Sequence, residues 1–81
     1  MRLVTVEWLD IYATSGWEKA DEVEPQRLWT VGYLVQQDKK VVKVATTKDE
    51  KGEWYAFHAF PAGCVVSIKD VVDDPEATSV E

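Results

Sequence analysis

Residues 27–37 alternate strictly. Trp29, Val31, Tyr33 and Val35 fall on one side of an extended chain, and Leu28, Thr30, Gly32 and Leu34 fall on the other. A period of two sustained over this length is the signature of a β-strand and fits no helix. The same reading extends to 2–12, where Val4, Val6 and Trp8 oppose Thr5 and Glu7. It covers 41–47, with Val42 and Val44 opposing Val41, Lys43 and Ala45. It also covers 53–60, with Trp54, Ala56, His58 and Phe60 opposing Tyr55, Phe57 and Ala59. A short last strand is expected at 65–71 with Val66 and Ile68 inward. Gly32 in mid-strand predicts a bulge, a sharp bend or a close approach of backbone.

The breaks between these strands carry turn chemistry. Asp38-Lys39-Lys40 and Lys48-Asp49-Glu50-Lys51-Gly52 are tight polar turns, the second with a glycine free to take positive φ. Pro61-Ala62-Gly63-Cys64 predicts a single 3₁₀ turn. The first connection is longer. Its Ser15 and Glu18 have the spacing of a capping box, and Trp17, Ala20 and Val23 make a narrow apolar stripe. A short helix over 15–24 is therefore expected, stopped before Pro25 and leaning on the core through Trp17. Together these features predict a mainly β fold, a small five-stranded barrel with one short helix in the first connection. Its single domain spans 1–72, and an acidic flexible tail spans 73–81. Closing the sheet hides the edges of so small a chain.

Composition narrows the chemistry. One cysteine among 81 residues excludes an internal disulfide framework, and one His with one Cys cannot supply the four ligands of a structural zinc. No metal or cofactor is expected. There is no P-loop and no Asp-rich calcium loop. The apolar runs are far shorter than a membrane helix needs, and charge interrupts the N-terminal segment before a signal-peptide core develops, so a cytoplasmic domain without membrane contact is expected. The net charge of −6 disfavours non-specific binding to duplex nucleic acid. The charge is unevenly spread. Four acids and one lysine occupy 18–24, and five acids and no base occupy 70–81. Between 27 and 51, Arg27, Lys39, Lys40, Lys43, Lys48 and Lys51 outnumber Asp38, Asp49 and Glu50.

Candidate site residues follow from that basic middle and from four tryptophans. Trp8 and Trp29 are expected in the core. Trp17, Trp54 and Tyr55, beside Arg27 and Lys43, are candidates to stack a base and neutralise a phosphate. A second possibility sets Trp29 and Tyr33 on an outer face as a subunit interface. His58, the one side chain that ordinarily titrates near neutrality, is the first place to look for acid–base chemistry, with a structural role expected. Cys64 is expected to act as a small buried hydrophobe. Asp10 is expected to accept hydrogen bonds from amides of the 14–16 turn, and Glu7 to face solvent. No carboxylate pair has the setting of a catalytic site, so enzymatic activity is not expected.

Two local stretches resemble known small barrels. Phe60-Pro61-Ala62-Gly63-Cys64-Val65-Val66 resembles the end of an SH3 domain, and Gly32-Tyr33-Leu34 through Asp38 with the strand at 41–44 resembles the first motif of Sm-like barrels. The shape is carried over from both and the function from neither. A wider resemblance runs through Val6-Glu7-Trp8-Leu9-Asp10, Gly16-Trp17, Thr30-Val31-Gly32-Tyr33-Leu34-Val35, Ala59-Phe60-Pro61 and Val66-Ser67-Ile68. This pattern resembles small uncharacterised proteins of tailed bacteriophages. It implies a phage-encoded accessory binding protein in the host cytoplasm, countering host defence. The expected mode is sequestration of a nucleotide signal in a homo-oligomer. The alternatives are an acidic inhibitor of a basic host protein and a minor structural virion protein.

Overall fold

The computed structural model describes residues 1–71, so Val72 and the expected tail at 73–81 lie outside the described residues. Five strands form: β1 (Leu3–Asp10), β2 (Gln26–Gln37), β3 (Val41–Lys48), β4 (Trp54–Pro61) and β5 (Val65–Asp70). All neighbouring strands are antiparallel, in one sheet of order β4-β3-β2-β1-β5. Every predicted strand is present, with ends displaced by one or two residues. The hairpin turns are held as their sequences require. Asp38 accepts from the amides of Lys40 and Val41, Asp49 accepts from those of Lys51 and Glu53, and Gly52 takes φ 88°.

The core lies on one face of this sheet. Val4, Val6, Val42, Val44 and Phe60 are buried, and Trp8, Leu34, Val65 and Ile68 pack against them. The Trp8 and Phe60 rings meet at 5.0 Å, and the Trp8 indole donates to Thr30 Oγ1 at 2.9 Å. Gly32 faces this core opposite Val4. A Cβ there would stand 3.0 Å from the Ala45 carbonyl oxygen and 3.1 Å from Val44 Cβ, so the expected close approach of backbone is what the glycine provides.

Four expectations are corrected. The sheet is not closed into a barrel. After β4, the 3₁₀ turn Ala62–Cys64 carries the chain across the end of β1, so β5 joins β1 and leaves the outer edge of β4 without a neighbour among the described residues. The helix over 15–24 is absent, and only a single 3₁₀ turn, Ala20–Glu22, forms there. The capping box is undone locally: Glu18 accepts from Thr14 Oγ1 instead, and the Gly16 amide donates to that same hydroxyl. Trp17 is fully exposed, so the stripe meets no core to offset the cost of nucleating so short a helix.

Trp29 is not core. It is 62% exposed, because the inward face of β2 is the one holding Leu28, Thr30, Gly32 and Leu34. Val66 also points outward. The β1·β5 register passes from Glu7↔Ser67 to Trp8↔Val65, so Val66 is the extra residue of a bulge and Val65 takes the inward place.

Candidate functional site

Two surfaces gather chemistry-bearing side chains, one on each face of the sheet. The outer face is read from the cross-strand pairs. Ser67, Glu7 and Trp29 form one row across β5, β1 and β2, and Lys69, Thr5 and Val31 form the next. Arg27 follows Trp29 on the same face, opposite Leu9. Its guanidinium lies 3.3 Å from Glu7, whose carboxylate also accepts from Ser67 Oγ at 3.2 Å. Glu7 is thus mostly covered rather than solvent-facing, with its side chain 18% exposed. Lys69 is exposed and has no ion-pair partner among the described residues. With Lys43 on β3, whose charge also acts on the Asp38 carboxylate at the adjoining turn, the outer face of the described strands carries three cations against Glu7, on a chain whose net charge is −6. Exposed Trp29 and Val31 are its apolar centre.

The second surface is a groove of about 590 Å³ on the inner side, where the end of β1 faces β4. Trp8, Leu9 and Ile11 line one wall, Phe57, Phe60 and Pro61 the other, and Asp10, Thr30, His58 and Cys64 supply its polar atoms. Asp10 accepts from the Ile11 amide at 2.8 Å, not from the 14–16 turn, because that turn satisfies its own amide with Thr14. His58 is exposed, its ring edge-on to Phe60 at 6.2 Å, and Cys64 is half-buried. Both line the groove, and no hydrogen bond joins His58 to Cys64 among the described residues.

The predicted site residues are dispersed. Trp17 stands free in the first connection, Arg27 and Lys43 lie on the outer face, and His58 lies in the groove. Trp54 and Tyr55 sit at the hairpin end of β4, set off from the rest of that strand by Ala56 at φ 57°. There Trp54 packs on the Tyr33 ring at 5.0 Å with Lys48 Nζ 5.3 Å above it, and the Tyr55 hydroxyl donates to Asp49 at 2.8 Å. The backbone hydrogen bond from Glu53, and then the one from Tyr55, hold the Asp49 carboxyl below the usual range; the same Tyr55–Asp49 bond raises the phenol. The exposed aromatic that shares a face with cations is Trp29, with Arg27 two residues away on β2 and Lys69 across β1, and neither Trp29 nor Lys69 is among the predicted ligand-binding residues. The signal available was the alternation of 27–37 itself, which puts Arg27 and Trp29 on one face.

The chain matches no family model, no curated protein and no solved structure.

Proposed function

We propose that this chain is a non-enzymatic binding protein that holds a nucleotide on the outer face of its sheet. Trp29 stacks the base, and Lys69 and Arg27 meet the phosphate. The observation that carries this reading is the 62% exposure of Trp29 on an outer face that also bears Arg27, two residues away on β2, and Lys69, which lies across β1 and has no ion-pair partner among the described residues. Stacking on an exposed indole contributes about 1–3 kcal/mol per base and asks for little sequence-specific geometry. One open face leaves the far side of the base in water. A second copy laid over it would enclose the ligand, which supports sequestration between subunits of a homo-oligomer. In the phage setting that the sequence resemblance implies, the ligand is a host signalling nucleotide and its removal counters host defence.

Native mass spectrometry of protein purified from a bacterial lysate tests this first, reading subunit number and retained mass together. Titration of Trp fluorescence with mononucleotides and cyclic dinucleotides follows. The expected result is micromolar binding that weakens with salt and falls at least tenfold in Trp29→Ala and in Lys69→Glu. A bare monomer that binds none of these at 100 μM, roughly the weak end of useful recognition, overturns the reading.

The exposed acids of the first connection, Glu18, Asp21, Glu22 and Glu24, favour a second reading, inhibition of a basic host protein. None of them is in an ion pair among the described residues. Neutralising them would abolish partner capture while leaving nucleotide binding intact.

A further inference from the structure

The two edges of the sheet are protected very differently. β5 carries Lys69 and Asp70 and is bulged at Val66, devices that discourage another strand from pairing. β4 reads Trp-Tyr-Ala-Phe-His-Ala-Phe-Pro, with no lysine, arginine or carboxylate, and Phe57 on it is 52% exposed. From Phe57 onward it runs regularly against β3, and the groove opens along this same stretch.

We infer that the 57–60 edge of β4 is a docking site for an extended segment of another protein, which adds to the sheet as a sixth strand and alternates apolar with basic side chains. Pairing places the incoming strand about 4.8 Å from β4, and its alternate side chains point to one face. Those on the inner side enter the groove against Trp8, Ile11 and Phe60. The basic requirement comes from Asp10. It is half-buried in the groove, and among the described residues it receives only the Ile11 amide and no lysine or arginine lines the space around it. An incoming ammonium or guanidinium would give it a charge-assisted bond. A second copy of this chain suits the edge poorly: its own β4 brings no cation to Asp10, and two chains of −6 repel.

Panning a displayed library of random twelve-residue peptides on the full 81-residue chain tests the inference. Enriched peptides are expected to alternate apolar residues, to include a lysine or arginine, and to lack a central proline. Hydrogen exchange at the amides of Phe57, His58, Ala59 and Phe60 should slow at least fivefold on binding. Asp10→Asn should weaken basic peptides at least tenfold, and Asp10→Lys should invert the preference toward acidic ones. Trp29→Ala should leave peptide binding unchanged, which separates this site from the nucleotide face. Absence of enrichment, enrichment of acidic peptides on the unaltered chain, or protection at other amides overturns the inference. So does concentration-dependent protection of the same amides without peptide, because it would show β4 paired with a second copy.

Discussion

On the inner face of the sheet Val4, Val6, Val42, Val44 and Phe60 are buried, while on its outer face Trp29 and Val31 stay more than half exposed. Hydropathy alone does not separate the two sets. They differ in what opposes them: Trp8 stacks on Phe60 within a cluster of valines, whereas among the described residues nothing is folded over Trp29. An apolar side chain stabilises a fold only when surface is removed from water, so Trp29 contributes little to holding this chain together and is free to serve recognition.

The largest expected effect tests that contrast directly. Phe60→Ala should lower unfolding stability by about 3–5 kcal/mol, a large share of the roughly 4–12 kcal/mol available to a chain of this size. Trp29→Ala should change it by no more than about 0.5 kcal/mol. Urea titration of both variants checks the pair. A Trp29→Ala cost near that of Phe60→Ala would mean that the outer face is covered in solution, and would point to a constitutive subunit interface there.

A second pair sharpens the comparison at the backbone. Gly32→Ala forces a methyl to within 3.0 Å of the Ala45 carbonyl and should cost about 1–3 kcal/mol. Gly63→Ala, in the 3₁₀ turn, meets nothing within 4 Å and should be neutral or stabilise by up to about 1 kcal/mol. Thermal unfolding of the two variants reads the difference, and equal melting temperatures would refute the close approach on the inner face.

The strands were legible because period-two patterning and turn residues are local signals. Asp38 and Asp49 cap their own turns, and both turns form where those residues predict. What was illegible depended on partners distant in sequence. Which side of β2 turns inward is decided by Val44 and Ala45 across the sheet from Gly32, so Trp29 was misplaced. Ile68 faces inward as its pattern predicts, but the one-residue bulge against β1 makes Val66 the extra residue and gives the inward place before it to Val65. The capping box at Ser15 and Glu18 promised a helix, but Thr14 competed for the same groups and no core met Trp17. Of the six proposed ligand-binding residues, Arg27 and Lys43 fall on the face that carries Trp29, whereas Trp17 lies in the first connection, His58 lines the groove, and Trp54 and Tyr55 sit at the β3–β4 hairpin end.

A smaller effect belongs to the β3–β4 hairpin end, where Trp54 packs on Tyr33 rather than in the core. Lys48→Ala removes the cation above Trp54 and should cost about 0.5–1 kcal/mol in low salt. Circular dichroism melts would detect it. A loss of several kcal/mol would show that this end is part of the core after all.

The smallest expected effect is local and has a defined pH signature. In the folded hairpin the Asp49 carboxyl is held below its ordinary value, first by the backbone bond from Glu53 and then by the Tyr55 hydroxyl. A depressed folded pKa means stabilisation present above the unfolded value, about 3.9, and lost as pH falls through the folded one. The Tyr55 phenol is raised by the same bond, so its contribution is complete below the unfolded value, about 10, and is lost as pH rises through the folded one. The turn should therefore be tightest between these limits and loosen on both sides. Exchange rates of the Lys51 and Glu53 amides, which Asp49 accepts, would report that window after correction for intrinsic pH dependence. Tyr55→Phe should remove the alkaline limb and leave most of the acid one, since the backbone bonds to Asp49 remain. Asp49→Asn should abolish the acid limb, because an amide does not titrate, and its cost should add to that of Phe60→Ala, which lies at the far end of the β3–β4 pairing. An acid limb that survives Asp49→Asn would show that a carboxylate other than Asp49 governs the turn.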